Sequence, residues 1–303
     1  MMAVDLKKIG TEQRNSNTLD IDVVSTIEIL RKINNEDKTI AYAVEKALPQ
    51  IAPLVDKIVE AFYKDARLIY MGAGTSGRIG VLDASECPPT FGVSYETIQC
   101  LIAGGFEAVV KSVEGAEDSL ILGIEDLKKI NLTKDDIVVG IAASGRTPYV
   151  ISAIEYAKSI GATTGAIVTS FNSKLASIVD YPIEAITGEE PITGSTRMKS
   201  GTAQKMICNM LSTASMIKMG KVYQNLMIDV QMSNEKLVKR AEGILEMALG
   251  ISNEEAKQAL IKYKTVKQAL FASLSGIKDL EKIKKHLANN KGHIRNALKE
   301  VGK

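Results

Sequence analysis

The sequence predicts an α/β fold: a parallel sheet flanked by helices, with an N-terminal helical segment ahead of it and a small C-terminal helical subdomain behind it. Three observations carry this expectation. Short apolar runs, RLIYM from Arg67, then TIQCLIA, DIVVGIAA and TGAIVTS, alternate with helical stretches around Ile79–Ala84, Phe106–Val113, Ser119–Ile130 and Tyr149–Ser159. That alternation is the rhythm of parallel strands joined by crossover helices. Before Arg67 and beyond about Ser233, only helical spacing is found. A chain of 303 residues with 45% apolar and 24% charged residues has the composition of a globular protein of one or two domains.

From Ile21 to about Phe62, Val23, Ile27, Leu30 and Ile33 are spaced like one helix face, and a second helix is expected through AVEKALPQIAPLVDKIVEAF. After the run YPIEAI, the segment TGEEPITGSTRMKSGTAQK leads into a long helix with Ala203, Ile207, Met210, Leu211 and Ala214 on one face. In the tail, Val266, Leu270 and Leu274 form one stripe, Leu280, Ile283 and Leu287 another, and Ile294 with Leu298 a third; Gly292 separates the last two. The expected organisation is a helical segment over 1–62, the sheet domain over 63–225 and the helical subdomain over 226–303.

Charge excludes little. The net value is +2, although the stretch from Asn234 to Lys303 carries a surplus of +7, spread as lysines along helical patterns. A solvated face explains it better than nucleic acid, and no nucleic-acid partner is expected. The start MMAVDLKKIGTEQRN contains no apolar signal core, and no run of apolar residues is long enough to span a bilayer. Neither secretion nor a membrane partner is expected. Cys87, Cys100 and Cys208 are odd in number and form no CxxC pair, which suits a reducing cytoplasm. The only histidines are His286 and His293, so chemistry in the main domain must proceed without imidazole.

The first strand runs into Gly72-Ala-Gly74-Thr75-Ser76-Gly77-Arg78, which fits GxGxxG. A dinucleotide site would also need an acidic residue at the end of the second strand, and the nearest, Glu96, falls where that strand begins. A monophosphate fits better, because a like loop follows a later strand: Ala142-Ala143-Ser144-Gly145-Arg146-Thr147-Pro148. Thr147 as N-cap and Pro148 as first helical residue would leave free N–H groups and hydroxyls facing the strand ends. Two carboxylates stand between these loops in sequence. Glu86 lies in DASECPPT, where the paired prolines are expected to end the helix and hold a stiff turn. Glu117 lies in EGAED, an acidic turn before a helix, where the helix dipole alone is an adequate reason for it. Cys87 reads as a small buried hydrophobe, with no histidine nearby in sequence to activate it.

At GAGTSGRIGVLDASECPPTFG, LIAGG, VEGAEDS, GIAASGRTPYV and TGSTRMKSGTAQK the sequence closely resembles the bacterial N-acetylmuramic acid 6-phosphate etherases, from TEQRNSNTLD to the last helices. The resemblance implies a sugar isomerase (SIS) domain, a helical C-terminal region, a sugar-phosphate substrate, no cofactor and a cytoplasmic homodimer. It implies loss of the lactyl ether, giving N-acetylglucosamine 6-phosphate and D-lactate. By the same likeness Glu86 and Glu117 are catalytic. Ser144, Gly145 and Thr147 match a phosphate loop, and Gly74, Thr75 and Ser76 match the loop facing the sugar. Glu190 matches a carboxylate of the substrate site with no fixed role. A phosphosugar sensor and an aldose–ketose isomerase are the competing readings; sensors of this type carry two tandem SIS domains, and this chain has length for one.

Overall fold

The computed structural model describes residues 10–232 and 234–303; residues 1–9 of the leading segment and Ser233 lie outside the described residues. Two units of the chain are distinguished. One runs to Ser85 and resumes over Glu96–Ser212; the other comprises Glu86–Tyr95 and Thr213–Lys303.

The first unit is built on a five-stranded parallel sheet of order β2-β1-β3-β4-β5. Its strands are β1 (Leu68–Gly72), β2 (Ile98–Ile102), β3 (Ile137–Ile141), β4 (Thr163–Val168) and β5 (Tyr181–Glu184). The four apolar runs from Arg67 onward and YPIEAI therefore all form strands. In β1 and β3 every residue is buried, as expected of central strands covered on both faces. Leu68 pairs with Ile98 on one side and Ile137 on the other, so β1 is where the strand order reverses. A short helix, α3 (Glu107–Val110), follows β2, and one face of the sheet packs Ile69, Met71, Val138, Ala166 and Val168 against α4 (Leu122–Lys129), α5 (Pro148–Ser159) and α6 (Lys174–Ile178), through Leu127, Tyr149, Val150, Ile154 and Leu175. Each fully buried aliphatic side chain of this kind contributes about 1.5–3 kcal/mol. The opposite face receives α1 (Thr26–Phe62), whose Leu54 lies against Gly165 so closely that a Cβ there would stand 2.8 Å from Leu54 Cδ2.

Expectations for two segments are corrected here. The segment to Phe62 is one helix of 37 residues, not two, and Pro49 and Pro53 lie within it. Both prolines are on the exposed face of the helix, where the carbonyls they release are open to solvent. The buried stripe Ile40, Val44, Ala47, Ile51, Leu54, Ile58 and Phe62 continues through them and holds the helix on the sheet. Val23, Ile27 and Leu30, expected on a packed face, are exposed by 77%, 54% and 56%. The second correction concerns α2 (Gly74–Phe91), which continues through Pro88 and Pro89 instead of ending before them. A proline φ is compatible with a helix, and Gly92 N–H closes the last turn on Pro88 O at 2.9 Å.

α7 (Lys199–Lys218) buries Ala203, Ile207 and Leu211, the face expected from its spacing. The second unit contains a two-stranded hairpin, β6 (Val222–Tyr223) with β7 (Leu226–Met227), which the helical reading of the tail did not anticipate. It is followed by α8 (Glu235–Leu249), α9 (Asn253–Tyr263), α10 (Val266–Ser275), α11 (Leu280–Asn289) and α12 (Ile294–Glu300) around Ile244, Leu245, Leu260, Leu270, Phe271, Ile283 and Ile294. Asn234, Ser252, Thr265 and Asp279 cap four of these helices through their side chains.

Candidate functional site

In an open parallel sheet, ligands sit outside the carboxyl ends of the strands where the strand order reverses. The β1–α2 and β3–α5 loops leave adjacent strands at that reversal. Their glycines are steric necessities. A Cβ on Gly72 would stand 2.6 Å from Gly77 N, and one on Gly77 would stand 2.6 Å from Ile102 Cγ1, so strand and helix can meet only without them. Gly145 has φ +63° and lies so close to Ser173 that a Cβ would fall 2.4 Å from the serine Cβ.

Thr147 is the N-cap of α5 and Pro148 its first residue, as expected, yet Thr147 makes no side-chain cap bond. The first-turn N–H groups are not free. Tyr149 N–H donates to Glu117 O at 3.0 Å, while Val150 and Ile151 N–H both donate to Thr147 O, at 3.1 and 3.0 Å. The first of these bonds ties the acidic turn to the phosphate-type loop. The loop also offers a ligand two hydroxyls: neither Ser144 nor Thr147 has a side-chain partner among the described residues.

A cavity of about 360 Å³ is lined by Ser144, Arg146, Thr147, Ser76, Glu117, Asp118, Thr11, Glu12, Gly194 and Thr196. A second, of about 190 Å³, is lined by Gly74, Arg78, Ala108, Ser112, Val113, Glu114 and Glu117. Glu117 borders both. Its carboxylate is exposed, on a turn in which Gly115 takes φ +73° and Ser119 Oγ accepts from Ile121 and Leu122 N–H just ahead of α4. Ser76 Oγ donates to Gln204 Oε1 at 2.9 Å, which leaves its own lone pairs available. Thr75 lines neither cavity; its methyl side faces Gly201 of α7. Glu86 is exposed on α2 and belongs to the other unit, beside the buried Cys87.

Glu190 is fully buried and lines neither cavity. Its two oxygens accept Lys199 N–H at 2.8 Å and Ser200 N–H at 2.9 Å, the first donors of α7. Lys199 Nζ in turn donates to Glu36 at 2.7 Å, and Asn17 donates to the other Glu36 oxygen at 2.8 Å. Burial pushes the Glu36 carboxyl up, but the bonds from Lys199 and Asn17 outweigh it and hold the group below its usual range. Asp83 anchors α2 from below, accepting from Tyr70 Oη, Asn209 Nδ2 and Ser212 Oγ at 3.1, 2.6 and 3.0 Å. Burial nevertheless keeps the Asp83 carboxyl above its usual range.

Thr11 and Glu12 were missed in the sequence, where no periodicity or capping pattern marks them. Their segment is fastened to 189–194: Asn15 Nδ2 donates to Glu189 O, Thr18 Oγ1 to Pro191 O and Gly194 N–H to Thr11 O. Thr11 Oγ1 is buried with no partner, an unusual expense for a hydroxyl beside a cavity. Among the described residues no group of three or more His, Cys, Asp or Glu side chains is placed to hold a metal ion.

Three family models match this chain. Residues 50–158 match the glucokinase regulatory protein N-terminal SIS domain, 121–214 the SIS domain and 224–298 the C-terminal lid domain of glucokinase regulatory protein. A solved phosphoheptose isomerase from Francisella tularensis is 16% identical, with a TM-score of 0.49 over 63% of this chain and 100% of that one. Much greater similarity is found with proteins named N-acetylmuramic acid 6-phosphate etherase. That of Clostridium beijerinckii is 54% identical over 99% of both chains, and that of Clostridium botulinum strain Langeland 55% identical over 99% of this chain and 100% of its own. That of Clostridioides difficile is 52% identical over the whole of both chains. Likeness of this degree leaves neither the sheet domain nor the helical tail outside it, and the chain belongs to the N-acetylmuramic acid 6-phosphate etherase family.

Proposed function

We propose that this protein is a carbon–oxygen lyase that cleaves the D-lactyl ether of N-acetylmuramic acid 6-phosphate, giving N-acetylglucosamine 6-phosphate and D-lactate in cell-wall sugar recycling or catabolism. The observation that carries this reading is identity of 52–55% with etherases over nearly the full chain. In the open-chain sugar the carbon 1 aldehyde acidifies the hydrogen on carbon 2. Glu117 removes that proton as general base, the electron pair forms the double bond between carbons 2 and 3, and the carbon 3–oxygen bond breaks. Glu86 protonates the departing lactate oxygen. Water then adds at carbon 3, carbon 2 regains a proton, and the sum is ether plus water to alcohol plus lactate. Each proton transfer contributes about 10²–10⁴-fold.

The phosphate is assigned to Ser144 and Thr147, with Gly145 giving the close approach, and the sugar to Gly74, Thr75 and Ser76. Support comes from the cavity that Ser144 and Thr147 share with Ser76 and Glu117. Glu190 is assigned to supporting this site through α7. The assembly is assigned as a cytoplasmic homodimer, with the expected domains at 1–62, 63–225 and 226–303. Among the described residues no helix is long and apolar enough to cross a membrane.

Incubation of purified protein with N-acetylmuramic acid 6-phosphate tests the reading through release of D-lactate. In ¹⁸O water the label is expected on carbon 3 of the sugar, and in deuterated water deuterium on carbon 2. Glu117→Gln should abolish the exchange at carbon 2, whereas Glu86→Gln should retain some exchange and block lactate release. Label in the lactate refutes the elimination. The matches to glucokinase regulatory protein domains favour a second reading, binding of a phosphosugar without turnover; tight binding without lactate release would establish it instead.

A further inference from the structure

Arg78 stands on the second turn of α2, half-buried, and lines the smaller cavity beside Glu117. Its Nε–H donates to Val109 O at 2.9 Å, which fixes the plane of the guanidinium. Both terminal nitrogens remain without a carboxylate partner among the described residues. Arg67 and Lys199 of the same unit are, by contrast, ion-paired to Asp136 and Glu36, each at 2.7 Å. A guanidinium held in one plane, half-removed from water and unpaired, is a fork shaped for a bound carboxylate.

The etherase reading supplies one. With the phosphate at Ser144 and Thr147 and carbon 2 at Glu117, the substituent on carbon 3 starts one bond from the deprotonated atom and leads away from carbon 6. Glu117 borders both cavities, so the larger one takes the phosphate end and the smaller one is left for that substituent. We propose that Arg78 binds the carboxylate of the lactyl group, which makes the smaller cavity a carboxylate subsite that selects the ether over the free 3-hydroxyl sugar. The proposal rests on the etherase reading above.

The test compares two reactions that share Glu117 but differ in the lactyl group. One is D-lactate release from N-acetylmuramic acid 6-phosphate; the other is deuterium wash-in at carbon 2 of N-acetylglucosamine 6-phosphate, which has no carboxylate. Arg78→Met should lower kcat/KM for the first by about 10–100-fold, the range for a lost charge-assisted hydrogen-bond pair, and change the second by less than about threefold. Arg78→Lys, which keeps the charge without the fork, should fall between. Inhibition by added D-lactate should weaken in the same order. With a substrate whose lactyl carboxylate is converted to the amide, wild type and Arg78→Met should differ little.

Equal losses in both reactions by both variants, at unchanged thermal stability, would overturn the subsite and make Arg78 a contact to the sugar itself. Equal losses accompanied by a lowered Tm would also overturn it, leaving Arg78 as a strut through Val109. If wild type binds the ether but releases no lactate, the etherase reading falls, an outcome separate from any ratio between variants.

Discussion

Glu190→Gln exchanges one oxygen for an NH₂ group and removes a charge at a position with 0% exposure. In the wild type, Oε2 accepts Lys199 N–H at 2.8 Å and Oε1 accepts Ser200 N–H at 2.9 Å, at the start of the 20-residue helix α7. Glutamine can satisfy only one of these donors and turns its own N–H against the other. A hydrogen bond to a charged group contributes about 1.5–3 kcal/mol, and a carboxylate at a helix N-terminus about 0.3–1 kcal/mol. The two figures share one electrostatic origin and do not simply add, so the expected loss is about 2–4 kcal/mol. Urea unfolding followed by circular dichroism should show a lower midpoint with an unchanged slope. Steady-state kinetics should show a secondary loss in kcat/KM, because Lys199 holds Glu36 and Glu36 holds Asn17 of the segment that carries Thr11 and Glu12. An unchanged urea midpoint with a raised KM would refute this reasoning and make Glu190 a direct substrate contact.

Three further outcomes are expected. Asp136 accepts from Arg67 Nη2, Nε and N–H and from Thr133; burial pushes its carboxyl up, but the Arg67 and Thr133 bonds outweigh it and leave it below the usual 3.8. Its stabilisation is therefore complete above that value and is lost as pH falls through the lowered one, so Asp136→Asn should cost about 2–4 kcal/mol at pH 7 and flatten the acid limb of urea midpoints between pH 5 and 2; a parallel limb would refute it. Ser144→Ala and Thr147→Val should raise KM more than they lower kcat, each by about 1.5–3 kcal/mol in kcat/KM, with stability unaffected because neither hydroxyl has a protein partner; equal reaction of dephosphorylated substrate would remove the phosphate from this loop. Light scattering at micromolar concentration should report a dimer, since Val23, Ile27 and Leu30 are exposed on one chain; a fully active monomer would refute it.

Much of the architecture is legible locally. The strands were visible because a doubly covered strand must be apolar throughout, as Leu68–Gly72 and Ile137–Ile141 are. The helices of the tail were visible because caps such as Ser252 with Glu255 act within one turn. The tight loops were visible because only glycine permits the approach of Gly72 to Gly77.

What lay beyond reading depended on surroundings rather than neighbours in the chain. A proline costs a helix little when the carbonyl it frees is hydrated, and only the packed structure shows that Pro49 and Pro53 face out. Thr11 looks ordinary until its buried, unpartnered hydroxyl is seen at a cavity that it shares with Ser144, 133 residues away in sequence. Glu190 matches a site carboxylate by likeness, and the sequence does not display that its two oxygens meet the backbone donors of Lys199 and Ser200. The sequence by itself displayed the two glycine loops, since turn geometry is a local property, while Glu86 and Glu117 stood out only through the family likeness. The tertiary structure alone decided that Glu117 borders two cavities and that Arg78 faces one of them unpaired, because strand order and burial are set by contacts between segments far apart in the chain.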